Sequence, residues 1–360
     1  MFDQILNRIK NKIIRTIRNS GFCLPVRQFN KITNSSKEFN LLIVAPGTME
    51  VPSLGWGAVE HIITETIGIF EEFGFEVWML NSKHRKEWKR ASTLNFDVIL
   101  NHSDQDSLKI KEFWPSTPLV TVSHYGFGAF DTLWNKTFKN ILKKMDASDK
   151  IICLSEEVKK TFAKHIRESK LLVSPNGSSF NPVLGRDSKA PLVCVGKIET
   201  RKHQYELFKA FQSSKRKVVF IGPITDERVL KRIKIDEEFR EFFIGAKNRE
   251  YLSKNLHKFS GLILPSSGEA DALVLYEAQL TGLPIFVTKN GLGSQSIKLD
   301  WINVIEQNPK PDQIEAILNC YEISPAVVSS YARDNYSWSV RIKPLLQELL
   351  LQAKSNRARN

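Results

Sequence analysis

From about residue 40, short runs of consecutive apolar residues alternate with stretches whose apolar positions recur every three to four residues. The first kind reads as strands buried on both faces, the second as amphipathic helices. Strands are predicted over 41–45, 75–80, 98–101, 119–123, 151–154 and 171–173. Helices are predicted over 59–73, with Ile62, Ile63, Ile67 and Phe70 on one face, and over 132–145 and 156–165. This alternation predicts a doubly wound α/β unit with a mainly parallel sheet.

The pattern breaks between 175 and 191, where Pro175-Asn176-Gly177-Ser178-Ser179 and Asn181-Pro182 are turn signals. It restarts with strands over 192–195, 218–221, 242–244, 261–264 and 285–288, and helices over 206–211, 248–256 and 272–280. The expected organisation is a tail over 1–37, a first α/β unit over 38–182 and a second over 188–330. A last helix over 340–351, behind Tyr336 and Trp338, is expected to cross back and complete the first unit as its segment 336–352.

The 360 residues are 42% hydrophobic and 10% aromatic, a globular composition that excludes a mainly disordered or fibrous chain. Cys23, Cys153, Cys194 and Cys320 lie far apart, which excludes a zinc ribbon and a dense disulfide framework and suggests a reducing, cytoplasmic setting. No run approaches the roughly 18 apolar residues of a spanning helix.

The net charge is +13, and it is uneven. Arg8, Lys10, Lys12, Arg15, Arg18, Arg27, Lys31 and Lys37 face Asp3 alone, and Lys354, Arg357 and Arg359 close the chain. What lies between is close to neutral and has no interleaved aromatic and basic motif, so nucleic acid is not an expected partner. Phe2, Ile5, Leu6, Ile9, Ile13 and Ile17 fall within roughly 120° of a helical wheel, opposite Arg8, Lys12, Arg15 and Arg18. Residues 1–20 therefore read either as a helix for an anionic membrane surface or as one packing its stripe on protein. Charges interrupt every apolar core that a secretory signal would need.

The densest chemistry is the segment from Pro265 to Ala278, where Glu269 sits in a Ser/Gly-rich loop and Glu277 in the helix that follows. A strand leads into that loop, so the site is placed at the carboxyl end of a parallel sheet, where open α/β sheets bind ligands. Free amides at the helix start suit an anionic or hydroxyl-rich ligand.

This segment resembles the E-x7-E motif of the retaining nucleotide-sugar glycosyltransferases of the GT-B fold, the large family 4 group. Other resemblances follow in the family's order. Gly55-Trp56-Gly57-Ala58-Val59-Glu60 resembles its glycine loop and Gly74-Phe75-Glu76-Val77 its second strand start. His124 resembles its donor-side histidine, Asp149 through Ser155 and Ser174-Pro175-Asn176-Gly177 two later passages, and Gly196-Lys197 through Lys202 its basic loop. They span about residues 40–340.

The resemblance implies two Rossmann-like domains facing each other across a cleft. It implies sugar transfer from a nucleoside diphosphate sugar, as co-substrate rather than cofactor, to a glycan or lipid-linked saccharide with retained anomeric configuration. Lys197 and Lys202 would neutralise the leaving diphosphate and replace a metal. Glu269 with the amides of Ala270, Asp271 and Ala272 would hold the transferred sugar, Glu277 the ribose hydroxyls, and His124 a sugar hydroxyl. Gly55, Gly57 and Gly196 would admit the donor close to the backbone, with the helix after Gly57 aiming its dipole at the diphosphate. Localisation would be cytoplasmic, peripheral on the membrane if residues 1–20 dock there.

Departures from the family are Ala270-Asp271 after the first glutamate, Lys197 for the commoner arginine, His203 for glycine and Ser178-Ser179 for valine-aspartate. Asp271 would add negative charge beside the sugar. Non-catalytic sugar or nucleotide binding on the same fold, and a basic nucleic-acid-binding protein, are the alternatives. Gly55-x-Gly57 lacks the third glycine of a dinucleotide fingerprint. Asp104-Gln105-Asp106 sits in the first unit, and no metal is expected. His84 and His102 read as surface or loop histidines, and Trp56 as a stacking surface for the acceptor.

Overall fold

The computed structural model describes residues 26–33, 36–53, 55–124, 136–295 and 297–359. The basic helix expected over residues 1–20 lies outside them. Two sheets carry the fold. The first contains β1 (Arg27–Lys31), β2 (Phe39–Val44), β3 (Phe75–Ser82), β4 (Val98–Asn101), β5 (Leu119–Val122), β6 (Lys150–Cys153) and β7 (Leu171–Val173) in the order β1-β3-β2-β4-β5-β6-β7. The second contains β8 (Leu192–Val195), β9 (Val218–Ile221), β10 (Leu262–Leu264), β11 (Ile285–Thr288) and β12 (Ile302–Ile305) in the order β12-β11-β10-β8-β9. Every pairing is parallel except β1 with β3.

Both sheets reverse direction of winding at their first parallel strand. β2 lies between β3 and β4, and β8 lies between β10 and β9. These switch points leave a crevice at the carboxyl ends, and ligands of open α/β sheets bind there. Central strands such as β4 and β11 are buried at every position, as expected for strands covered by helices on both faces.

Several helices, Arg85–Ala91, Ser107–Phe113, Pro311–Asn319 and Pro325–Tyr336 among them, were not anticipated, and three strand features differ from the sequence expectation. Arg27–Lys31, within the basic tail, is an edge strand: Phe29 is buried opposite Leu80 while its neighbours face solvent, so no apolar run announces it. β12 is the other unannounced edge, buried at Ile302 and open to solvent beyond it. Around 242–244, where a strand was expected, the helix Glu237–Phe242 ends and only Phe243 bridges to Phe220.

The C-terminal helix runs over Lys343–Arg357, with Pro344 in its first turn where the missing N–H costs nothing. Leu345, Leu346, Leu349 and Ala353 pack into the same core as Leu41, Ile43, Val77, Met79 and Leu100 of the first sheet. Arg357 then forks onto Asp97, with Nε and Nη2 at 2.7 and 2.8 Å from its two oxygens. No helix among the described residues is long and apolar enough to cross a membrane.

Candidate active site

The loops after β8 and β10, neighbours in the second sheet, carry the first cluster. Gly196 leaves β8 at φ +149, and a Cβ there would stand 3.1 Å from the Lys202 ammonium, so glycine lets that side chain fold back over the strand end. Lys202 is buried and its Nζ lies 2.9 Å from Oε1 of Glu269. Arg201 reaches the same oxygen at 3.3 Å, donates to the Gly268 carbonyl and pairs with Glu199 at 2.6 Å. The Ser266 hydroxyl donates to Glu269 at 2.6 Å. Burial pushes the Glu269 carboxyl up, but Lys202, Arg201 and the Ser266 hydroxyl outweigh it and hold the group at about 2. Glu269 is therefore a buried, permanently ionised carboxylate with two cations on it.

Glu277 belongs to the helix Leu273–Thr281, almost wholly buried beneath this loop. Its Oε1 lies 3.0 Å from Nε of Arg249, with the N–H off the line of contact. Arg249 opens the helix Arg249–Asn255, which Asn248 caps by accepting from the Tyr251 N–H. The same guanidinium pairs with Glu65 of the helix Ala58–Glu72 and donates to the Ser178 hydroxyl at 2.9 Å. Burial raises the Glu277 carboxyl, Arg249 opposes that, Glu65 adds to it, and the net direction is upward.

The Asp271 carboxylate, expected from the sequence to add charge beside the sugar, is engaged by three donors of the protein. Its carboxylate accepts from the Asn176 N–H at 2.9 Å, the Ser294 N–H at 3.1 Å and the Tyr276 hydroxyl at 2.5 Å. Asn176 returns a side-chain hydrogen bond to the Asp271 carbonyl at 2.9 Å. Three donors pull this carboxylate into protein, and it pins the Pro175-Asn176-Gly177 passage to the loop after β10. Ala270 is buried in the core shared with the first sheet.

From the first sheet, Gly57 precedes the helix Ala58–Glu72 at φ +144. A Cβ there would stand 2.4 Å from the Met49 methyl and 2.7 Å from Oε2 of Glu60. Glu60 is buried in the first turn, so an acid of the chain itself already meets the positive end that was expected to face a diphosphate. Gly55 donates its N–H to the Ser53 hydroxyl at 3.3 Å, and that hydroxyl donates to the Trp56 carbonyl at 2.9 Å. The Trp56 ring receives Lys197 of the second sheet, whose Nζ is 4.7 Å from the centroid.

His124, at the end of β5, meets a residue read from the sequence as a surface or loop histidine, which lies in the loop directly after β4 but is buried. His102 is buried, its Nδ1 is 3.0 Å from Nε2 of His124, and the rings stack 5.3 Å apart. Burial holds His102 well below the ordinary histidine range, with His124 adding to it, and burial takes His124 down to about 4. The pair is neutral near pH 7, so His124 can offer a hydrogen bond but no positive charge. The Asp104-Gln105-Asp106 carboxylates are turned to protein: Asp104 accepts from the His124 N–H at 3.2 Å and Asp106 from the Ser103 hydroxyl at 2.5 Å.

The structure thus brings Lys202 and Glu269 together, sets Glu277 beneath the same loop, and places Trp56 from the first sheet against Lys197. Arg201, Arg249, Glu65 and His102 were not anticipated. Arg201 adjoins Lys202 and could have been suspected; Arg249 and Glu65 stand far in sequence from Glu277 and carry no spacing signal.

Two α/β units with facing switch points, and a buried carboxylate clamped by cations on one side, define the class as a glycosyltransferase of the GT-B fold. Two family models match the chain, glycosyltransferase family 4 over residues 37–179 and glycosyl transferases group 1 over 176–333. The chain belongs to these group 1 glycosyltransferases. No curated protein matches it in sequence. Solved structures share the fold at low identity. Sucrose-phosphate synthase from Thermosynechococcus elongatus gives a TM-score of 0.68 at 12% identity, covering 90% of this chain and 100% of that one. HepE from Anabaena, in complex with UDP and glucose, gives 0.67 at 13%, covering 87% and 99%. WaaG, a glycosyltransferase of lipopolysaccharide biosynthesis, gives 0.61 at 13%, covering 84% and 98%.

Proposed function

We propose that the protein moves a sugar from a nucleoside diphosphate sugar to a glycan or lipid-linked saccharide, with retention and without a metal. The observation that carries this is the Lys202–Glu269 pair at the end of β8 and β10, with Arg201 on the same carboxylate. Breaking the glycosidic bond releases a diphosphate of growing negative charge. Lys202 and Lys197, fixed beside its path, stabilise that charge more in the transition state than in the ground state. Lys202 reaches the diphosphate while still compensating Glu269, so no charge is left bare in the buried loop.

Glu269, ionised at all working pH values, accepts hydrogen bonds from hydroxyls of the transferred sugar, and Glu277 from the ribose diol. The amides of residues 270–272 and the neutral His124 complete the sugar's contacts. A carboxylate already paired with two cations is a poor base, so the acceptor proton passes to the leaving phosphate oxygen on the same face of the sugar. That route retains configuration. The acceptor enters from the Trp56 side. The UDP and glucose held by HepE and the lipopolysaccharide role of WaaG support this substrate class.

A screen of UDP-, GDP- and ADP-sugars against saccharide acceptors, in EDTA and with NMR of the product anomer, tests the reading. Transfer with retained configuration is expected. Inverted product overturns retention, loss of activity in EDTA overturns metal independence, and no transfer from any donor overturns the reading as a whole.

A further inference from the structure

Arg249 stands between two carboxylates that come from opposite halves of the chain. Glu277 lies on the helix beneath the donor loop, and Glu65 on the helix Ala58–Glu72 that runs back from the Gly55–Gly57 loop. One guanidinium serves both. The hold on the two sides is unequal. Glu65 is fixed by three donors: Arg249, the Ser179 N–H at 3.1 Å and the Trp338 indole N–H at 2.5 Å. Arg249 is further held by the Ser178 hydroxyl, and its guanidinium carbon lies 5.2 Å from the Phe180 ring centroid. Toward Glu277 there is a single contact, with the Nε–H unaligned. The first helix, the segment 178–180 and Trp338 therefore decide where this cation sits, and Glu277 receives its charge from there.

We propose that Arg249 is a positioning residue for donor binding: anchored by Glu65, it keeps Glu277 ionised and oriented, and so makes donor affinity depend on how the two halves of the chain are docked. The inference rests on the reading of Glu277 as the acceptor of ribose hydroxyls. The physical reason is charge count. A half-buried carboxylate, Glu65, and a buried one, Glu277, share one guanidinium, so Glu277 is incompletely compensated, and only an ionised carboxylate can accept from both hydroxyls of a diol. The charged groups facing Glu277 are Arg249 and Glu65, and the half-buried His61 faces the same guanidinium and Glu65. Burial lowers the His61 imidazole and Arg249 lowers it further, so near pH 7 in the wild type it is neutral and adds no second cation.

The test measures dissociation constants of UDP, GDP and ADP for the full chain from pH 5 to 8, with donor KM and kcat at pH 7. An ammonium cannot fork onto two carboxylates as a guanidinium does. R249K is therefore expected to weaken the preferred nucleotide about tenfold and raise donor KM alike, with kcat within about threefold. In R249Q the Glu277 carboxyl rises further, so nucleotide affinity falls on acidification at a higher pH than in the wild type. Adding E65Q removes the neighbouring repulsion and moves that limb part of the way back, a response that lost packing alone does not give. R249K folds with its charge retained and keeps the test open if R249Q does not fold. Wild-type binding with an unchanged R249K constant, or an unmoved acid limb in R249Q, overturns this inference alone. A wild type that binds none of the three nucleotides overturns the functional reading and this inference with it.

Discussion

The ammonium of Lys197 lies 4.7 Å from the ring centroid of Trp56, and the two residues follow the switch-point strands of opposite sheets, β8 and β2. The cation proposed to face the diphosphate thus rests on an aromatic face supplied by the other half of the chain. A contact of this kind at an exposed site is worth about 0.5–1 kcal/mol. A double-mutant cycle with W56A and K197A should return a coupling of that size in thermal stability, and additive losses would show that the ring and the ammonium do not interact.

Lys202→Ala removes the buried ammonium beside Glu269 and leaves Arg201 as its remaining cation partner. Turnover should fall by about 10²–10³-fold, the usual loss for one preorganised electrostatic partner. Donor binding should suffer less, because the diphosphate charge grows during the reaction. Steady-state kinetics with the donor found in the screen check this, and kcat within twofold of wild type would remove Lys202 from the chemistry.

Asp271→Asn should act on stability rather than on sugar selection. An amide in place of the carboxylate turns a donor toward one of three existing donors, at a cost of about 1–3 kcal/mol. Chemical denaturation should show that loss, while donor preference stays as in the wild type. A changed sugar preference in D271N would put the carboxylate back beside the sugar.

The histidine pair sets a pH dependence. His124 titrates at about 4 in the folded chain against 6.5 when unperturbed, so the unfolded chain binds more protons between those values. Stability is then fully present above pH 6.5 and declines as pH falls toward 4. Glu269, held near 2 against 4.5, adds its own loss only below pH 4.5. Melting temperatures of wild type and H124Q between pH 4 and 7 check the assignment: the variant should lose less on acidification from 6.5 to 4.5. Equal slopes would mean that His124 is not buried neutral.

Residues 1–20 carry the membrane hypothesis. Deleting them should abolish binding to anionic phosphatidylglycerol vesicles and leave nucleotide binding intact, and unchanged vesicle sedimentation would end the docking role.

Most parallel strands were legible because strands covered by helices are written as continuous apolar runs: 98–101, 171–173, 192–195, 218–221 and 285–288 are strands at those very residues, the edge strands β7 and β9 among them. Two edges were not: β1 turns a single apolar residue, Phe29, to the core, and in β12 Asn303 interrupts the apolar residues Ile302, Val304 and Ile305. At the site, Glu269, Glu277 and Lys202 were legible because chemistry and motif spacing coincide within one loop and its neighbour. Glu65, Arg249 and His102 act through contacts that depend on how helices from distant segments dock. Asp271 was visible, but its partners Asn176 and Ser294 were not, since they lie on other loops. A carboxylate's meaning depends on which donors surround it.

The helix Lys343–Arg357 fills the first sheet's core with residues made after the whole second sheet. During synthesis the first sheet therefore emerges with an uncovered apolar face and must wait for about 170 further residues, from Val173 to Lys343, before it closes, roughly 8–35 s at 5–20 residues per second. Assembly of the protein is consequently not sequential: the half that is made first is completed last.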